Sequence, residues 1–75
     1  MGPPTTATID RAAHLRALAR RLESAELHLV ARAGSAGVWE GPAAADCATQ
    51  LLLHARMLLV QAEHLRIAAS RLEHS

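Results

Sequence analysis

Phenylalanine, tyrosine and lysine are absent from this chain of 75 residues, and tryptophan and cysteine occur once each, as Trp39 and Cys47. Without Phe or Tyr, and with few Val, Ile or Thr, the residues that suit a pleated sheet are too scarce for a sandwich or a barrel, so an all-β fold is excluded. A single cysteine excludes an internal disulfide framework. Long apolar runs are also missing. The longest, Leu51 to Val60, is interrupted by His54 and Arg56 and has about half the length a membrane span requires, so a soluble or peripheral protein with no stable membrane insertion is expected. The opening residues Met1-Gly2-Pro3-Pro4-Thr5-Thr6 have neither a basic stretch nor an apolar one, which argues against a Sec-type signal peptide. Gly2 with Thr6 fits a myristoylation pattern only in the manner of a short motif met by chance. No sign of charge prevails: eight basic residues face seven acids, and a formal charge of +1 is a poor footprint for duplex nucleic acid.

What fills the chain is alanine and leucine, 17 and 12 residues, within an apolar fraction of 51%. That composition reads as helix. All eight basic residues are Arg, which together with the alanine excess points to GC-rich coding of the actinobacterial kind. At this length the chain is one small domain with little room for a catalytic cleft.

Residues 1–7, with two prolines and no periodicity, are expected to form a loose tail. Thr8 or Asp10 is then placed to cap a first helix over about 9–33, whose apolar positions Leu15, Leu18, Leu22, Ala25 and Leu29 are spaced three, four, three and four. Gly34 is suited to the left-handed conformation that ends a helix, and 34–41 reads as a glycine-rich loop. Pro42 suits the first position of a second helix, over about 42–73. There Leu51, Leu58, Leu65 and Leu72 recur every seven residues, each preceded by three positions by Ala48, Ala55, Ala62 or Ala69. Small residues let two axes approach while leucines fill the flanks, so the expected fold is all-α, an antiparallel two-helix hairpin. Its seam is predicted to comprise Leu15, Leu18, Leu22, Leu29, Leu51, Ala55, Leu58, Ala62, Leu65 and Leu72. At 100° per residue Leu52 and Leu59 fall in the same arc and are expected to face the first helix.

A second apolar series, Leu53, Val60 and Ile67 with Met57 beside it, lies near 200° from the seam, beyond the reach of a single partner helix. Leu27 and Val30 on the first helix also fall outside the seam and are expected to extend that surface. Small two-helix cores are marginal alone, so a partner hairpin completing a four-helix bundle dimer is predicted, with Leu53, Met57, Val60 and Ile67 at its interface. One internal echo stands out: His14-Leu15-Arg16 with Ala19, Arg21, Leu22 and Glu23 returns 50 residues later as His64-Leu65-Arg66 with Ala69, Arg71, Leu72 and Glu73. Duplication and convergence on one amphipathic pattern both produce such an echo.

Candidate chemistry is sparse. The histidines at 14, 28, 54, 64 and 74 include no pair three or four residues apart, the spacing at which one helical turn shares a metal ion, and Cys47 has no second sulfur near it in sequence. No metal and no cofactor are expected. Asp10 and His14 are four apart, an ordinary surface pair. A cysteine nucleophile would need an orienting group and an oxyanion site in a pocket, which a hairpin does not provide, so the protein is read as non-enzymatic. Arg11, Arg16, Arg20 and Arg21 lie close to Glu23 and Glu26 and read as a solvated charged face.

Trp39 is the one aromatic residue, set in the loop between Gly37 and Gly41, where its ring is expected to fold back onto the end of the hairpin. Two helices joined by a loop carrying Trp39-Glu40-Gly41 resemble the WXG superfamily of small type VII (ESX) secretion proteins across the whole chain. Gly41-Pro42-Ala43-Ala44-Ala45 and Leu65-Arg66-Ile67-Ala68-Ala69 are similar to that family's second helix. The resemblance implies a non-enzymatic hairpin that forms a homodimer, or a heterodimer with a sister hairpin or the helical domain of an effector. It also implies secretion, in folded form and without a signal peptide, by the type VII machinery, from a cytoplasmic pool. The family is typically nearer a hundred residues and often carries a C-terminal Tyr followed by three residues and then an acid. This sequence has no Tyr, which implies reliance on a partner for that signal or a chaperone role toward a larger effector. The competing reading is a helical interaction module or small regulatory subunit that stays in the cytoplasm.

Overall fold

A hydroxyl at the right place starts the first helix. The computed structural model describes Pro3 and residues 5–36 and 41–74, and in it α1 spans Thr6–Ala36 and α2 spans Pro42–His74. Both elements are α-helices packed against each other as an antiparallel hairpin. The cap of α1 is Thr5, earlier than the expected Thr8 or Asp10: its Oγ1 accepts the Thr8 N–H at 3.2 Å and its carbonyl accepts the Ile9 N–H at 2.9 Å. Thr8 takes the third helical position, where its own hydroxyl meets that of Thr5 at 2.9 Å. Residues 6 and 7, assigned to the tail on sequence, are therefore helical.

At the other end α1 continues through Gly34 to Ala36, past the stop expected at Ala33. Gly34 is not in the left-handed region, and the Ser35 hydroxyl donates to the Ala31 carbonyl at 3.2 Å along the helix axis. Among the described residues the glycine with positive φ is Gly41, at +113°, directly before Pro42. Its carbonyl accepts the Ala45 N–H at 3.3 Å, the first bond of α2. The two glycines should thus respond oppositely to a methyl group, since nothing lies within 4 Å of either added Cβ and only the backbone decides. Gly34→Ala should stabilise by about 0.5–1 kcal/mol through helix propensity, and Gly41→Ala should destabilise by about 1–3 kcal/mol through strain. Thermal melts followed at 222 nm measure both; equal shifts would contradict the assignment.

The hairpin is a rod. Its principal extents are 59 × 13 × 10 Å and its radius of gyration is 17.2 Å, against about 11 Å for a compact domain of this length. A depth of one helix diameter means that a side chain off the seam has no second layer to cover it. Among the described residues the buried ones are all alanine: Ala12, Ala19 and Ala33 on α1, and Ala55, Ala62 and Ala69 on α2. No large side chain is fully buried.

The α1 alanines follow a seven-residue spacing, interrupted at Glu26, which is half-buried in the same row. No described side chain pairs with that carboxylate. Glu26→Ala should therefore stabilise the hairpin by about 0.5 kcal/mol or more, by completing the alanine row with a better helix former and by removing a partly desolvated charge. A lowered melting temperature would mean that Glu26 holds a partner not seen here.

Candidate functional site

Two cross-helix ion pairs fix the register. Arg16 pairs with Glu73, and the Arg66 guanidinium grips Glu23 with both donors, Nη2 to Oε1 at 2.5 Å and Nε to Oε2 at 3.2 Å. Positions 16 with 73 and 23 with 66 each add to 89, as an antiparallel pair requires. The pairs are also related to each other by the 50-residue echo: Arg16 corresponds to Arg66 and Glu23 to Glu73. Between them lie Ala19 and Ala69, each 0% exposed and again 50 apart. The open half of the hairpin is thus built about a local two-fold axis that crosses the seam at Ala19 and Ala69.

The hydrogen bonds from Arg66 are the main cause holding the Glu23 carboxyl below its ordinary 4.5; partial desolvation opposes them, and the charges of Arg66 and Arg20 add to the lowering. The same contact raises the Arg66 guanidinium further above its ordinary range. Because the folded carboxyl is the stronger acid, its contribution is present above pH 4.5 and is lost as pH falls through the lowered value. Glu23→Gln should flatten that part of an acid melt. Both partners are partly exposed, so the effect should shrink in high salt.

With the buried alanines written as position a of a heptad, the other rows follow. Row d holds Leu15, Leu22 and Leu29 on α1 and Leu51, Leu58, Leu65 and Leu72 on α2, all half-buried, and Leu18 beside them in row g is half-buried too. A shift of one residue on each helix, from row e of the ion pairs to row d, sets Leu15 with Leu72, Leu22 with Leu65 and, a heptad further on, Leu29 with Leu58. Of the residues assigned to the seam on sequence, Ala55 and Ala62 occupy its centre and the leucines flank it on one face. Sequence reasoning missed Ala12, Ala19 and Ala33, whose seven-residue repeat was the available signal, and missed the ion pairs, whose signal was the echo.

Row e lies on the opposite face. It holds the four ion-paired residues toward the open end and Val30, Leu52 and Leu59 toward the loop. Leu52 and Leu59, expected to face α1, are 50% and 44% exposed, because helices meeting on alanine touch only along row a and the inner edges beside it. Leu53, Val60 and Ile67 form row f, on the outer edge of α2 away from α1, with Met57 in row c; all four are exposed. Leu27 and Val30 are exposed too and extend the uncovered apolar surface as expected, though on α1, across the seam from that edge. The corresponding outer row of α1 is Asp10, Ala17, Ser24 and Ala31, which offers no matching apolar surface.

Trp39 and Glu40 lie outside the described residues; Gly41 is the described member of the motif. Cys47 is exposed, as are His14, His28, His54, His64 and His74. Among the described residues no three His, Cys, Asp or Glu side chains come together as a metal site would require, and no helix is long and apolar enough to cross a membrane. The accessible surface is 5683 Å², against about 4,450 Å² for a compact monomer of 8.0 kDa. The excess of roughly 1,200 Å² exceeds the roughly 800 Å² that one partner contributes to a standard protein interface. No family model, curated protein or solved structure matches the chain.

Proposed function

We propose that this chain is a non-enzymatic pairing protein, a helical hairpin completed by a second helical element into a four-helix bundle and handled by a type VII secretion system in the manner of the WXG proteins it resembles. The observation that supports pairing is the burial pattern: the hairpin alone buries alanines and leaves every leucine half-covered or exposed. Fully burying a leucine is worth about 1.5–3 kcal/mol relative to exposing it, so much of the apolar surface this sequence carries is unused until a partner covers it. The secretion part rests on the Trp39-Glu40-Gly41 loop between the two helices.

Co-expression with a candidate sister hairpin, followed by secretion assays, tests the reading. Release of both chains together supports it; efficient folding and retention under all conditions favours the cytoplasmic interaction module. Trp39→Ala separates the roles of the ring. If it is recognised by the secretion machinery, the variant keeps its melting temperature and partner but is not released. If the ring is fully buried, the variant loses about 3–5 kcal/mol of stability instead.

A further inference from the structure

The formal charge of +1 hides a segregation that follows the heptad rows. The leucine face is rimmed on α1 by Arg11, Arg21 and Arg32 with His14 and His28, all exposed in rows c and g. On α2 the same rows carry His54, His64 and Arg71, also exposed. No carboxylate occurs in row c, d or g of either helix. The described acids, Asp10, Glu23, Glu26, Asp46, Glu63 and Glu73, all lie in the seam, on the ion-paired face or along the outer edge.

Resting on the pairing function proposed above, we infer that the leucine face docks an amphipathic helical partner whose apolar stripe is flanked by carboxylates, and that this partner is not a second copy of the chain. Three features carry the inference. The face spans both helices, with leucines repeating every seven residues on each, the period that receives the knobs of another helix. Its rim carries four arginines, three on α1 and one on α2, with no described acid in the same rows, so a self-complementary dimer would bring no opposite charge to its rim and would set arginine against arginine wherever α1 met α1. The excess surface is sufficient for one such interface. The outer edge of Leu53, Val60 and Ile67 is a poorer site because α1 contributes nothing to it.

The test uses the full chain and three probes: a synthetic peptide of about four heptads with a leucine seam flanked by glutamate, a twin flanked by lysine, and anionic phosphatidylglycerol vesicles. The glutamate peptide should bind roughly tenfold or more tighter than its twin at low salt, with the gap narrowing in about 1 M salt. Arg21→Glu with Arg71→Glu, both exposed and outside the ion pairs, should reverse that order without loss of helicity, whereas Val60→Gln should leave it unchanged. Equal affinity for the two peptides, preference for vesicles over both, or self-association through the leucine face at micromolar concentration would each overturn the inference while leaving a pairing function intact. A stable monomer that binds neither peptide would defeat both.

Discussion

Ala69→Leu lowers the melting temperature of the hairpin by roughly 5–20 °C. Ala69 is 0% exposed and sits across from Ala19, also 0% exposed, at the local two-fold axis, so an isobutyl group there meets the backbone of α1. The axes must separate or the side chain must leave its preferred rotamer, and overpacking of this kind costs about 1–3 kcal/mol. In a domain of this size each kcal/mol shifts the midpoint by about 4–8 °C. Ala19→Leu should act alike, and the double variant should be worse than either. Ala13→Leu, on an exposed α1 position, is the control and should be close to neutral. Circular dichroism melts read the series. If Ala69→Leu melts with the control, the helices do not close on alanine.

The hairpin itself was legible in the sequence because the α2 repeat is unbroken: Ala48, Ala55, Ala62 and Ala69 alternate with Leu51, Leu58, Leu65 and Leu72. On α1 the leucines drew attention and the alanines did not, since Ala12, Ala19 and Ala33 form a repeat only if Glu26 is read through. Helix limits were harder. Thr5, Thr8 and Asp10 are all competent caps, and only the backbone shows which side-chain oxygen reaches the third amide. Gly34 and Gly41 have identical side chains, so nothing in the sequence says which takes the positive φ. Angular arithmetic placed Leu52 and Leu59 toward α1 because it assumed a broad contact arc; alanine at the seam narrows that arc and puts both residues on an open face.

Leu58→Glu is expected to unfold the hairpin at neutral pH, whereas Val60→Glu leaves its helicity unchanged. Leu58 is half-buried opposite Leu29; losing that contact and partly desolvating a carboxylate should together cost about 1.5–3 kcal/mol, a large share of a two-helix core. The new carboxyl is more easily protonated in the folded state than in the unfolded one. Stability is therefore recovered at low pH and lost as pH rises through the raised value, so the variant should refold on acidification. Val60 is 44% exposed on the outer edge, and a charge there should change stability by no more than about 0.5 kcal/mol. Denaturation at pH 7 and below pH 5 distinguishes the two variants; similar behaviour would mean that d and f are equivalent rows.

The local two-fold axis leaves the open half of the hairpin without a polarity of its own. Rotation about that axis exchanges His14, Leu15, Arg21 and Leu22 with His64, Leu65, Arg71 and Leu72, so a helix laid over this end meets nearly the same surface whichever way it points. Leu29, Leu51 and Leu58 lie outside the echo, which joins 14–23 to 64–73. Preference for one docking direction therefore has to arise where the echo fails, at Leu18 against Ala68 and above all in the half nearer the loop, and trimming those three leucines should scramble a partner's direction before it abolishes its binding.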